Sequence, residues 1–150
     1  MRPTAPILFA ALVLIGCSGK PPPNLGARNG QLSPCPNKPN CVSSQSHDKQ
    51  HYVAPFTFTV PSDVTRRALL DVLPHIEGAK VVTQESFYIR AEFSSKRMKF
   101  VDDVEFLIDP LSSVVHVRSA SRLGYSDLGV NRKRVEEIRA QLAQVLAQAD

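Results

Sequence analysis

The sequence predicts an α+β domain: a single antiparallel sheet of about five strands with two helices packed on one face. The first observation is that short segments between residues 56 and 119 alternate apolar and polar side chains, with the two-residue period of a half-buried strand. The second is that residues 62–76 and 131–147 place apolar side chains three or four positions apart, as amphipathic helices do. Because each helix has one apolar side, both must cover the apolar face of the sheet.

The predicted elements begin with a strand over residues 56–60, where Phe and Val alternate with Thr. A helix follows, and Ser62 at its start has a side chain suited to an N-cap. Its apolar stripe consists of Val64, Ala68, Leu69, Val72, Leu73 and Ile76. Pro74 and Gly78 predict its end.

Four further strands are predicted, and consecutive ones form hairpins. They cover residues 79–84, 87–93, 101–108 and 114–119, with turns at residues 85–86 and 109–112. The last helix buries Val135, Ile138, Leu142, Val145 and Leu146. The resulting order, β-α-β-β-β-β-α, is similar in shape to the repeat unit of TATA-box-binding-protein-like and helix-grip folds.

The N-terminal segment predicts a lipoprotein signal. Arg2 precedes an uncharged apolar run over residues 7–15, which is shorter than the ~17–20 residues needed to cross a bilayer. The run ends in Leu14-Ile15-Gly16-Cys17, which resembles a bacterial lipobox. We therefore expect residues 1–16 to be removed and Cys17 to carry the lipid. The alternatives are an ordinary secretory signal with an incidental cysteine, or an anchor helix that is left uncut.

The chain divides into three parts. Residues 1–16 are the predicted signal peptide, residues 17–33 a lipidated cysteine with a Pro/Gly-rich tether, and residues 34–150 the folded domain. Eight of the 12 prolines precede position 40, so an extended spacer is expected there. The expected location is the cell envelope, anchored to the outer membrane and facing the periplasm, because Ser18 rather than Asp follows the cysteine.

The composition restricts the partners of the chain. The net charge is +4, and it falls to +3 when Arg2, the only charged residue of the signal, is removed. This balance is compatible with a nearby anionic lipid or glycan and too weak to indicate nucleic acid. No Walker-type loop or repeat occurs in the sequence, and no cofactor is expected. The expected partners are the membrane, through the lipid, and a small anionic ligand or an envelope protein.

The chain has three cysteines, an odd number, and assigning Cys17 to the lipid leaves one pair. Cys35 and Cys41 are then expected to form a disulfide, the default in an oxidising compartment. The alternative is a metal site, since His47 and His51 complete a C-x5-C-x5-H-x3-H pattern that offers two thiolates and two imidazoles to zinc or copper.

Two long motifs carry a family resemblance. PCPNKPNCVSS at residues 34–44 and RSASRLGYSDLGVNR at residues 118–132 resemble the DUF1499 family of bacterial envelope and plastid proteins of unknown function. The resemblance covers about residues 32 to 146. It implies one fold unit, and it supplies no established activity and no catalytic residues.

The second motif and the last helix contain the best candidates for ligand binding. These residues are Arg118, Ser119, Ser121, Arg122, Tyr125, Asp127, Asn131 and Arg132. Gly124 and Gly129 allow a tight loop before the helix, and Asp127 or Asn131 is suited to cap it. Basic residues at 132–134 oppose the helix dipole, so a bound anion would stabilise them. Salt bridges, including one from Arg122 to Asp127, would do the same without a ligand.

Strand alternation separates two faces of the sheet. The face toward the helices should hold Phe87, Ile89, Ala91, Phe93, Val104, Phe106, Ile108, Val115 and Val117. The opposite face should hold Tyr88, Arg90, Glu92, Asp103, Glu105, His116 and Arg118. It is expected to be a solvated surface with cross-strand ion pairs, or a docking surface for a polar ligand.

The leading functional hypothesis is therefore a non-enzymatic binding module. The second hypothesis is metal handling through the Cys/His segment, and the third is a hydrolase that uses Asp103, Glu105 and His116.

Overall fold

The computed structural model describes residues 19–96 and 98–148, and it confirms the predicted α+β architecture. The strands are β1 (Cys41–Ser43), β2 (Phe56–Thr57), β3 (Ala79–Gln84), β4 (Tyr88–Ser94), β5 (Val101–Asp109) and β6 (Val114–Ser121). The helices are α1 (Ser62–Val72), which continues into a short 3-10 turn at Leu73–His75, and α2 (Val130–Leu146). Among these residues, neither helix has the length and apolar character required to cross a membrane. The predicted signal peptide and Cys17 lie outside the described residues.

All strands belong to one antiparallel sheet with the order β1-β6-β5-β4-β3. The short strands β1 and β2 share one edge of β6: β1 pairs near the end of β6, and β2 pairs near its start. The two hairpins turn where the sequence indicates. At the second turn, the Asp109 side chain accepts hydrogen bonds from the backbone N–H groups of Leu111 and Ser112, as turn aspartates commonly do.

The apolar face of the sheet and the two helices form one core, as predicted. Ile89, Val104, Phe106, Val115 and Val117 are fully buried in it, together with the apolar stripes of both helices. The prediction for Phe87 is wrong. It lies in the turn before β4 and is about half exposed, because regular pairing of the strand begins only at Tyr88.

The ends of the helices follow the sequence, except that other residues occupy both N-cap positions. Pro61, rather than Ser62, occupies the N-cap position of α1, so the serine is already the first helical residue. Gly129 occupies the N-cap position of α2, and the Asp127 carboxylate accepts hydrogen bonds from the backbone N–H groups of Gly129 and Asn131 at the start of the helix. Beyond α1, Gly78 has a positive φ, and a Cβ there would overlap the backbone carbonyl of Ser94.

Strand β1 is the element that the sequence does not indicate. Its residues Cys41, Val42 and Ser43 are all buried, so they show no alternation between apolar and polar positions. Pairing with Arg118–Ala120 of β6 selects the strand conformation. The strand expected over residues 56–60 is correspondingly shorter, because only its first two residues pair with β6.

The segment before the domain is not a free spacer where the structure describes it. Residues 19–36 lie along the polar face of the sheet, and we call them the N-terminal arm. The backbone N–H of Gly26 donates to Glu105 in the centre of the sheet, at 2.7 Å. Leu32 is buried, and its N–H donates to the side chain of Gln45. The expected extended tether therefore needs correction: buried charges on the sheet provide hydrogen-bonding partners that hold the arm in place.

Candidate functional site

The polar face of the sheet is a buried network of ion pairs. It contains three arginines and three acids, five of them on β4, β5 and β6 and the sixth, Arg122, directly after β6. They are Arg90, Glu92, Asp103, Glu105, Arg118 and Arg122. The expectation of a solvated face is wrong, because Glu105 is completely buried and Arg118 is only 4% exposed. The N-terminal arm and the neighbouring charged side chains exclude water from the face.

Arg122 and Asp103 form the tightest pair of this network. The Arg122 Nε donates to Asp103 Oδ2 at 2.7 Å, and Nη2 donates to Oδ1 at 2.8 Å, which is the bidentate geometry. Arg122 also donates to Glu92, so the predicted pairing with Asp127 is replaced by these two acids. The hydrogen bond to Asp103, and then that to Glu92, raises the pKa of Arg122.

Glu105 connects the arm to three strands. Its Oε1 accepts hydrogen bonds from the Gly26 N–H and, at 2.8 Å, from the Tyr88 hydroxyl. Its Oε2 accepts from Arg118 Nη1 at 3.0 Å. Burial, and then the adjacent Glu105 charge, raises the pKa of Tyr88 and keeps this hydroxyl a donor. Glu105 therefore fixes the arm against the sheet.

A cleft of about 380 Å³ lies between the arm and the network. The arm contributes Lys20, Pro22, Asn24, Pro34, Cys35 and Pro36, and the sheet contributes Asp103, Arg118, Ala120, Ser121 and Arg122. Within the described part of the chain, the buried Nε of Arg118 has no hydrogen-bond partner. The guanidinium of Arg118 thus keeps one buried donor without a protein partner, and Arg118 is also one of the residues that line the cleft.

A second polar cluster lies on the other face, under α2. Ser119 and Asn131 are hydrogen bonded to each other, and the Asn131 amide nitrogen donates to Ser121 and to the Asn40 carbonyl. Arg134 completes the cluster. Its guanidinium donates to Asp102, Ser119 and Asn131, and it stacks on Phe93 at 4.8 Å. This cluster joins α2 to β1 and β6. Within it, Asp102 neutralises Arg134, which is one of the cations expected to oppose the helix dipole.

The eight residues predicted as one ligand site are thus divided among several places. Arg118 and Arg122 reach the cleft, whereas Ser119 and Asn131 belong to the cluster under α2. Ser121 lines the cleft and also accepts a hydrogen bond from Asn131 of the cluster. Asp127 accepts the Asn131 N–H at the start of α2, and Tyr125 is exposed. Arg132 donates to the backbone carbonyls of Tyr52 and Gln50.

Lys20 and Gly26 are the site residues that sequence reasoning missed. The arm has no hydrophobic periodicity that would indicate a packed segment. The available signal was on the strands instead. Three acids and three arginines on one face of a central sheet must be covered either by water or by another segment of the chain. The N-terminal arm was the only segment left that could cover them.

The Cys/His segment contains a disulfide. Cys35 and Cys41 are joined, with their Cα atoms 5.6 Å apart, which confirms the predicted bond. The alternative metal site is therefore wrong, since its two thiolates are consumed. His51 is buried and contacts the Cys41 carbonyl through Nδ1 at 2.9 Å. In residues 19–96 and 98–148 we find no cluster of three or more His, Cys, Asp or Glu side chains suited to a metal ion.

The three residues of the hydrolase hypothesis have structural partners. Asp103 accepts hydrogen bonds from Arg90 and Arg122, and Glu105 accepts from Tyr88, Arg118 and the arm. His116 lies 3.3 Å from the Ser44 hydroxyl, whose oxygen also accepts the Val117 N–H. Burial lowers the pKa of His116, and Asp109 opposes this only in part.

These features define a class: a small α+β domain whose antiparallel sheet carries helices on one face and a largely buried layer of ion pairs on the other. Over residues 31–142 the chain matches the family model described as a protein of unknown function (DUF1499). The chain belongs to this family, which confirms the resemblance seen in its two motifs. No curated protein matches the chain. The matched region includes the whole sheet and begins within the arm, after Gly26.

We expect Arg122→Ala to lower the free energy of unfolding by about 3–5 kcal/mol, because it leaves buried Asp103 without its bidentate partner. Arg67→Ala is the matched control, since the Arg67–Asp63 pair has the same 2.7 Å separation and is exposed. Urea denaturation of both variants measures the difference. Equal losses would contradict a buried network.

Stability should also fall as the pH drops below the ordinary His116 pKa of about 6.5. Because burial lowers the pKa of His116 in the folded state, the unfolded chain binds the proton more tightly, and acid favours unfolding. His116→Gln should therefore flatten the fall of the Tm between about pH 7.5 and 5.5. The exposed His75→Gln serves as the control and should retain the wild-type slope.

Proposed function

We propose that this protein is a lipid-anchored lipoprotein of the bacterial cell envelope. Its domain acts as a non-enzymatic module that binds a small anionic ligand in the cleft between the N-terminal arm and the sheet. The anchor is the lipid on Cys17, and the expected location is the outer membrane facing the periplasm.

Two observations support the envelope location. The sequence LIGC at residues 14–17 ends a short apolar run in the manner of a lipobox. The disulfide between Cys35 and Cys41 suits an oxidising compartment, because cytosolic thiols are kept reduced. Both observations agree on a domain that works outside the cytoplasm.

The unpartnered Arg118 Nε is the observation that carries the binding proposal. A buried donor without an acceptor costs about 1–3 kcal/mol, and more when the group is charged. A carboxylate or phosphate oxygen in the cleft would remove that cost. Lys20, exposed at the edge of the cleft, adds a second positive charge.

The cleft also limits the shape of the ligand. Its volume of about 380 Å³ suits a small molecule, and three prolines of the arm give part of its wall an apolar character. A ligand with one acidic group and a short apolar body fits these properties. The hydrogen bonds that occupy the acids of the network favour binding over acid–base catalysis.

The anchor can be tested on protein isolated from its native membranes. We expect an intact mass that corresponds to a chain beginning at Cys17 with acyl groups attached. Cys17→Ala should shift the protein out of the membrane fraction, whereas the Cys35→Ser/Cys41→Ser double variant should remain in it. An unacylated native chain that retains residues 1–16 would contradict the anchor.

The binding site can be tested by NMR on the Arg118 Nε–H, whose resonance reports directly on a new acceptor. Butyrate, which carries one carboxylate on a short apolar chain, or inorganic phosphate should shift this signal with a dissociation constant near 1 mM or below. The exposed Arg67 Nε–H should not move. The Arg118→Lys variant lacks this Nε–H, so the loss of the resonance assigns the signal. The variant keeps a positive charge opposite Glu105, and it should abolish binding.

Lys20→Ala should weaken binding by only about two- to fivefold, because the charge is exposed. Unchanged Arg118 signals with both anions would count against an anion site.

A further inference from the structure

Exposed apolar side chains are concentrated at one end of the sheet. Ser94 pairs with Val101, and Asp102 pairs with Ser121, so the β4–β5 turn and the loop at 122–130 lie at the same end. In the described residues, nine large hydrophobic side chains are exposed, and six of them lie here: Met98, Phe100, Leu123, Tyr125, Leu128 and Val130. We call this the apolar end.

The fold does not bury these side chains. Leu128 is 94% exposed, and its φ of 55° lies in the left-handed region, where glycine or asparagine is the usual residue. Burial within the domain therefore gives no compensation for the strain of a leucine at this position. An apolar partner outside the domain would give one.

The charges around the apolar end are mainly positive. Lys20, Lys96, Lys99 and Lys133 are all exposed there. Glu77 is paired with Lys96, and the Asp127 carboxylate accepts the N–H groups at the start of α2. Glu137 lies beside Val130 and Lys133 as well, so the four lysines exceed the three acids by one. This weakly basic balance complements anionic lipid headgroups.

The chain leads to this end. Gly19 lies against the loop: its carbonyl accepts a hydrogen bond from Arg122 at 3.3 Å, and a Cβ added to it would lie 3.3 Å from Leu123 Cγ. Cys17 is two residues earlier, so it is at most about 7 Å from Gly19 along the chain. A lipid on Cys17 would enter the bilayer next to the exposed leucines.

We propose that the apolar end is a membrane-contacting surface that inserts Leu128 and its neighbours into the anionic bilayer that holds the anchor. This inference rests on the lipid anchor of the proposed function. A single lipid chain would leave the domain free to rotate, whereas the apolar end fixes one orientation, with the sheet strands directed away from the membrane.

The sequence contains no tryptophan, so one introduced indole reports on one position. Leu128→Trp places it at the apolar end. Leu111→Trp is the matched control, because Leu111 is 98% exposed and lies at the opposite end of β5 and β6, about 25 Å away. With the disulfide intact, Cys17 is the only free thiol, so the mature chain can be coupled there to a maleimide lipid.

In vesicles of brominated phosphatidylcholine and phosphatidylglycerol, we expect strong quenching and a blue shift for Trp fluorescence in L128W. Fluorescence in L111W should remain that of an exposed indole. Replacing phosphatidylglycerol with phosphatidylcholine should weaken the quenching in L128W. Equal quenching in the two variants, or no quenching in L128W, would overturn the proposal. Quenching in L128W that does not change when phosphatidylglycerol is replaced would overturn its electrostatic part.

Chemical coupling at Cys17 separates this result from the proposed function. A native protein without lipid would be recognised by its intact mass, whatever the vesicle experiment shows. Both variants should melt at the wild-type temperature, since each changes a side chain that projects into solvent.

Discussion

The pairing of Asp103 with Arg122 constrains the rest of this structure. A carboxylate taken out of water is stable only when cations and hydrogen-bond donors surround it. Arg90 and Arg122 supply the cations around Asp103. Arg118 and Tyr88 donate hydrogen bonds to Glu105 in the same way. The N-terminal arm covers this layer, and its Gly26 N–H gives Glu105 a further hydrogen-bond donor.

The arm in turn connects the predicted anchor to the sheet. Glu105 binds it at Gly26, Arg122 binds it at Gly19, and the disulfide fixes its end to β1. Because of these contacts, the ligand cleft and the point where the chain approaches the proposed lipid belong to one rigid surface. A spacer of disordered chain would instead have left the domain and the membrane independent of each other.

The motif at residues 118–132 serves both faces of the sheet. Alternate residues of β6 point in opposite directions, so Arg118 enters the ion-pair layer while Ser119 joins Asn131 beneath α2. This explains why residues that are adjacent in the motif do not form one pocket. The period of a strand separates them, although their spacing in sequence suggests a single cluster.

The sequence alone determined the α+β class, both helices, both hairpins, the apolar face and the disulfide, because each depends on local periodicity or on a short spacing. The tertiary structure decided three further features: strand β1, the position of the arm and the burial of the charged face. Cys41–Ser43 becomes a strand only through pairing with β6, and the arm gains its contacts from residues about 80 to 100 positions away. Long-range partners of this kind leave no periodic pattern in the sequence, so no local signal could have placed them.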